Sequence, residues 1–226
     1  MPFALTYTSL TTALGQYMQR YDALITENIP LWISFAQTRI VRECKLLGFR
    51  TEVTGIFDGT ALTSGMMSKP SDWRKTIAFY VGTGTGNNTH TPVYERTYEY
   101  IRTIYPQIVT GIVPSVPRFY ADADYNHWLV GPTPDKAYPF KIAYYGTLIP
   151  IDGTTQINWL TENAPDLLLY ACLMEAVPFV KADERVQIWT SMYQNAKAAL
   201  QAQELEGLYD NQAIAGTPQP SPPPGR

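Results

Sequence analysis

Residues 158–206, NWLTENAPDLLLYACLMEAVPFVKADERVQIWTSMYQNAKAALQAQELE, constrain the fold more than any other stretch of this chain. They predict two consecutive helices. Asn163 is placed to cap the first, Asp166 sits where the exposed N–H groups favour a carboxylate, and Pro165 falls in the first turn, where a missing N–H costs little. Leu167 to Met174 is almost continuously apolar, which predicts burial around most of the circumference. Val177-Pro178 is expected to end this helix, because the proline ring clashes with the preceding turn. Ala182 or Asp183 then opens a second helix of about 24 residues at 1.5 Å each. Val186, Trp189, Tyr193, Ala196 and Leu200 step by three or four along it and form one stripe. Nothing in this hairpin carries chemistry; it is built to pack.

Two further helices are predicted at the N-terminal end. Ser9–Arg20 carries Leu10, Leu14 and Tyr17 on one face, weakened by Gly15. A longer helix runs over about residues 30–47, capped at Thr26 or Asn28, with Pro30 in its first turn and Gly48 at its end. Trp32, Ala36, Ile40 and Leu47 share its apolar face, with Ile33 and Cys44 alongside and Arg39, Arg42 and Lys45 elsewhere.

From Thr51 the texture changes. TEVTGIFDGTALTSG breaks at Gly55, Asp58-Gly59 and Gly65 and reads as short strands and turns. RKTIAFYVG (74–82) is a strand. GTGTGNNTHT (82–91) has neither G-x-G-x-x-G spacing nor a following Lys-Ser/Thr, so it is a hairpin tip rather than a phosphate loop. A strand at about 92–95 precedes a short helix over Arg96–Ile104, and strands follow at Arg118–Ala121, Asn126–Val130 and Phe140–Tyr145, with Pro132 and Pro134 marking the last turn. The fold class expected is α+β. N- and C-terminal helices (1–50 and 158–207) form a bundle, a β-rich insert occupies 51–157, and 208–226 is a proline-rich tail unable to build a core.

Composition narrows the function. A net charge of −3 opposes a nucleic-acid binder working by phosphate neutralisation. Charged residues are 16% of the chain, against about 25% in ordinary soluble domains, while tyrosines number 16. Few charges and many tyrosines suit a chain that hides surface against partners, and equally suit a tyrosine-rich globular protein. Cys44 and Cys172, among apolar residues, read as buried free thiols. No basic leader and no membrane-spanning apolar run is apparent; the chain is expected to be made in a reducing cytoplasm.

A search for chemistry returns little. His127 with Asp122 and Asp124, or with His90 in the glycine loop, is the nearest approach to a metal site, and D-A-D at a strand end is ordinary turn chemistry. Ser64 and Ser71 are turn residues, and neither cysteine has a histidine nearby in sequence. Arg96 and Arg102 interleave with Tyr94, Tyr98, Tyr100 and Tyr105; such mixtures can stack bases, and more commonly form a packed or subunit-facing surface. No catalytic, cofactor-binding or metal-ligating residue is assigned, no cofactor is expected, and the chain is read as a non-enzyme.

In order and spacing, RTYEYIRTIYP (96–106), the G-x-V-P-x-x-P-R-F-Y-A-D-A-D run (111–124), HWLVGPTPDKAYPFKIAYYG (127–146) and NWLTENAPDLLLYACLMEAVPFVKADERVQIW (158–189) resemble the head-to-tail adaptor proteins of tailed bacteriophages. The likeness is to the family that includes the T7-type tail tubular protein A, and it covers about Ser9 to Leu205. The resemblance implies a virion structural protein in the neck, forming a homo-oligomeric ring, usually of twelve copies, between the portal and the tail or nozzle. DNA would pass through its lumen without sequence-specific binding. It supplies no catalytic residues to carry over. On this reading Trp189, Tyr193, Val186, Leu200, Arg96, Tyr98 and Arg102 are the candidates for subunit or portal contact. The 82–91 loop would face the next tail component, and the tail would order along the portal. A monomeric virion-associated binding module, or a hydrolase using the β-rich region, is the alternative.

Overall fold

A computed structural model describes residues 5–82, 90–106, 114–180 and 184–215; the side chains of Leu47, His90, Val180 and residues 205–215 lie outside that description. Residues 83–89 of the predicted loop tip (82–91) and residues 216–226 of the proline-rich tail (208–226) fall outside it as well. The architecture is mixed α+β, and the chain divides into two compact units, residues 1–48 with 148–226 and residues 49–147.

The first unit is helical. α1 spans Tyr7–Met18. Thr6 is its cap, three residues ahead of the expected start at Ser9: Thr6 Oγ1 accepts from the Ser9 N–H at 3.1 Å, and Ser9 Oγ accepts from the Thr6 N–H at 2.8 Å. Starting earlier shifts the inward face to Leu10, Leu14 and Met18, and leaves Tyr17 exposed. α2 runs from Ala23 to Glu43 with Pro30 inside it, so neither Thr26 nor Asn28 caps. Their side chains bond back to the carbonyls of Asp22 (3.3 Å) and Leu24 (2.7 Å), as polar residues within a helix do. Trp32, Ile33, Ala36, Ile40 and Cys44 are buried as the periodicity predicts. The helix stops at Glu43 rather than Gly48. Gly48 lies in a 3₁₀ turn against the Trp159 indole, where a Cβ would collide with the ring.

The C-terminal hairpin of the sequence is three helices, α5 (Trp159–Asn163), α6 (Pro165–Val180) and α7 (Val186–Ala215). The cap is Asn158, whose Oδ1 accepts from the N–H groups of Leu160 (3.1 Å) and Thr161 (3.2 Å). Asn163 closes α5 instead, donating to the Trp159 carbonyl at 2.9 Å. Pro165 is the first residue of α6, as expected. Pro178 does not end it. The proline sits in the final turn, where only one hydrogen bond is forfeited, and the helix continues to Val180. From Leu167 to Val177 no residue is exposed, because α6 packs against α1, α2, α5 and α7 together. α7 opens at Val186, later than expected, and is 30 residues long, about 45 Å. A buried amide joins the segments: Gln37 Oε1 accepts from the Ile151 N–H (3.3 Å) and from Asn158 Nδ2 (2.9 Å).

The second unit is built on a seven-stranded sheet of order β1-β7-β3-β4-β5-β6-β2. The strands are β1 (Arg50–Ile56), β2 (Met66–Ser68), β3 (Trp73–Gly82), β4 (His90–Glu95), β5 (Phe119–Asp122), β6 (His127–Gly131) and β7 (Pro139–Gly146). All pairs are antiparallel except β4–β5. Gly55 is not a break but a strand residue opposite Phe140, and residues 59–64 are a short helix, α3, because Asp58 Oδ1 accepts from the Ala61 N–H at 3.0 Å. Trp73, Phe79, Val93, Tyr120, Trp128 and Ile142, with Met67 at the far edge of the sheet, belong to one core cluster, so the sheet curls around a common interior. Thr76 Oγ1 accepts from both indoles there, Trp73 Nε1 at 3.1 Å and Trp128 Nε1 at 3.0 Å. A smaller cluster of Ile101, Ala121 and Leu129 pins α4 (Tyr98–Ile104) to β5 and β6.

Candidate interaction surfaces

α4 and its flanks carry the arginine–tyrosine segment. Thr97 caps the helix, its hydroxyl accepting from the Tyr100 N–H at 3.2 Å, and Ile101 anchors the inner side. That leaves Tyr94, Tyr98, Tyr100 and Ile104 exposed. One helical turn separates Tyr98 from Arg102, whose Nε donates to the Tyr98 hydroxyl at 3.0 Å while the guanidinium lies 5.2 Å from the ring centre. Arg96 lies over Phe119 at 5.4 Å, and the edge of Tyr100 meets the same ring at 5.7 Å. Arg96, Tyr98 and Arg102 thus present cations already immobilised on aromatic rings. Such a surface gives up little side-chain entropy when a partner covers it.

The α7 stripe faces the interior of its own unit. Trp189 and Tyr193 lie in the interior of their own subunit, and Val186 and Leu200 are half-buried. Arg185 stacks over Trp189 at 5.3 Å and donates to the Tyr17 carbonyl at 2.8 Å. Tyr193 donates to Glu43 Oε2 at 2.9 Å, and Lys197 Nζ reaches the same oxygen at 2.6 Å. Burial raises the Glu43 pKa, but the bonds from Lys197 and Tyr193 outweigh it and hold the carboxyl below its usual value. Burial first, then the Glu43 contact, pushes the Tyr193 phenol upward. The exposed apolar residues of this unit include Leu24, Leu31 and Phe35 on α2, Phe179 on α6, and Ile188 and Met192 on α7. The apolar stripe can be read from spacing, and its sequence neighbours Ile188 and Met192 are large, apolar and exposed.

The groups weighed for chemistry are occupied structurally. Asp124 accepts from the Asn126 N–H at 2.7 Å and contacts His127 Nδ1 at 2.9 Å. The His127 contact, reinforced by the backbone bond, draws the Asp124 carboxyl below its usual value. Asp122 instead pairs with Lys69 at 2.8 Å. The Lys69 side chain is 1% exposed, with its ammonium 3.5 Å from the centre of a Trp73 ring and bonded to the Asp124 carbonyl at 2.9 Å, which ties the β5–β6 turn to the approach to β3. Ser64 donates to the Thr60 carbonyl at 2.8 Å. Cys44 and Cys172 are buried free thiols whose pKa values burial raises, the opposite of an activated nucleophile. Among the described residues, no group of three or more His, Cys, Asp or Glu side chains is placed to hold a metal ion, and no helix is long and apolar enough to cross a membrane.

None of the curated proteins matches this chain. The SU10 adaptor protein family does, over residues 5–215, which takes in all seven helices and all seven strands described above. A tyrosine-rich chain whose two cysteines are buried and whose aromatic and apolar residues include exposed ones on both units accords with that match: the chain belongs to the SU10 adaptor protein family, a family of phage head-to-tail adaptors, and is a structural component of the virion.

Proposed function

We propose that this protein is the ring-forming subunit of a phage neck, joining the portal to the tail or nozzle and leaving a lumen for DNA. The family match over residues 5–215 carries this reading. The exposed Arg–Tyr surface around α4 supports it, since aromatic residues and arginine are enriched where protein interfaces concentrate their binding energy. The narrower kinship with T7-type tail tubular protein A, and a ring of twelve, belong to the same proposal. So does the division of labour: N- and C-terminal helices (1–50 and 158–207) as a bundle that packs subunit and ring, and the β-rich insert (51–157) as the part that meets the next component.

The α7 helix adds a physical argument. Tyr193 and Lys197 bond Glu43, the last residue of α2, so α7 runs on past the end of α2 for about 18 residues, roughly 27 Å. A helical extension of that length is suited to a neighbour or a portal ring. Full-length protein mixed with purified portal rings tests the reading by size-exclusion mass and electron microscopy. Co-assembly into a stoichiometric ring is expected; a chain that remains monomeric and ignores the portal would overturn it.

A further inference from the structure

α2 has a second apolar side that its own subunit leaves uncovered. Leu24, Leu31 and Phe35 are exposed, Leu31 by 42% and Phe35 by 50%, on the opposite side from Trp32, Ile33 and Ala36. Beside them lies a groove of about 660 Å³ lined by Phe35, Thr38 and Arg42 of α2 and Glu175 of α6. The other charges of the groove are already engaged. Arg39 is bound to Glu175 at 2.6 Å, and Glu43 is held by Tyr193 and Lys197. Arg42 is exposed and has no ion-pair partner among the described residues. The groove therefore sets Phe35, continued along α2 by the exposed Leu31, beside the Arg42 cation.

The complementary pattern occurs at the start of α7. Ile188 is 56% exposed and Met192 44%, one turn apart, and Glu184 lies four residues ahead of Ile188. Glu184 is exposed and likewise without an ion-pair partner among the described residues. One surface thus reads acid, apolar, apolar at intervals of four, and the other reads cation, Thr38, Phe35, Leu31 at intervals of four, three and four. Laid antiparallel, Glu184 meets Arg42, Ile188 falls level with Thr38, and Met192 falls between Phe35 and Leu31. The two sets cannot meet within one subunit. Tyr193 and Lys197 fix the level of Glu43 along α7, and Glu184 is nine residues before Tyr193, about a dozen Å away along the axis.

We infer that the α2 groove receives the Glu184–Ile188–Met192 ridge of a second copy of this chain. Groove and ridge are different surfaces, so the contact is heterologous and repeats around a ring until it closes. The inference rests on the ring reading above and names its subunit contact.

The test uses the full-length chain. Arg42→Glu and Glu184→Arg are each expected to raise the concentration for half-assembly about tenfold, and the double swap to return it to within about threefold of the parent chain. Because both side chains are exposed and without ion-pair partners among the described residues, unfolding midpoints of all three variants should match the parent. In a mixture of one protein carrying Phe35→Cys and another carrying Met192→Cys, oxidation should yield a disulfide-linked pair of the two. A parent ring that is insensitive to both single swaps would overturn the contact while leaving the ring intact. A parent chain that never assembles, with or without portal rings, would overturn both. Cross-linking of Phe35→Cys to the portal protein would assign the groove to the portal and defeat the inference.

Discussion

The phenol of Tyr193 donates to the carboxylate of Glu43 at 2.9 Å, joining α7 to the last residue of α2 across 150 positions of sequence. Lys197 holds the same oxygen from one turn further on. Tyr193→Phe removes the donor and keeps the ring, so it should cost about 1 kcal/mol in urea unfolding. Lys197→Ala should cost less, because its pair with Glu43 is partly exposed and screened.

The same pair sets a pH dependence. The Glu43 pKa in the folded protein is held below the usual glutamate value of 4.5. A depressed folded pKa contributes stability above the unfolded pKa and loses it as pH falls through the folded one. The parent protein should therefore lose stability from about pH 4.5 downward, with Glu43→Gln flattening part of that slope. Unfolding midpoints measured from pH 3 to pH 7 check this, and an unchanged slope would show that Glu43 carries none of it.

Thr76 is the shared acceptor for the indole N–H groups of Trp73 and Trp128. Thr76→Val keeps the shape and strands both donors in the core, for a loss of about 2–4 kcal/mol, whereas Thr76→Ser keeps the oxygen and should cost under about 1.5 kcal/mol. The ordering of the two midpoints, read by tryptophan fluorescence, decides it.

Gly48 lies against the Trp159 indole, where an added Cβ overlaps the ring. Gly48→Ala forces the indole or the turn to move and should cost about 1–3 kcal/mol. Gly59 has open space around its Cβ position, so Gly59→Ala should fall within about 0.5 kcal/mol of the parent. Thermal denaturation of the two variants side by side separates crowding from a generic loss of glycine.

Trp189 and the arginines of α4 should part company in experiments. Trp189→Ala empties a buried site and should cost about 3–5 kcal/mol in folding stability. Arg96→Ala alters an exposed residue and Arg102→Ala a half-buried one bonded to Tyr98, so folding should stay within about 0.5 kcal/mol for the first and about 1 kcal/mol for the second. If the α4 surface is a subunit or portal contact, these two weaken assembly at that small cost in stability; mass measured in the presence of portal rings is the readout.

Much of this chain could be read without coordinates. The alternation and turn residues of 118–145 place β5, β6 and β7 to within about two residues, and the stripe from Val186 to Leu200 foretells the inward side of α7, because both signals repeat at the period of the backbone itself. Three kinds of question were settled only in three dimensions. Pro30 and Pro178 sit within helices because burial of Trp32, Ile33, Leu173 and Ala176 against neighbouring helices outweighs the one hydrogen bond that each proline forfeits locally. The cap at Asn158 rather than Asn163 depends on which side-chain oxygen meets free N–H groups, and two asparagines five residues apart offer the same chemistry. The placement of β7 between β1 and β3, and the burial of Trp189 beside an exposed Ile188, depend on partners distant in sequence, whose pairing no local pattern encodes.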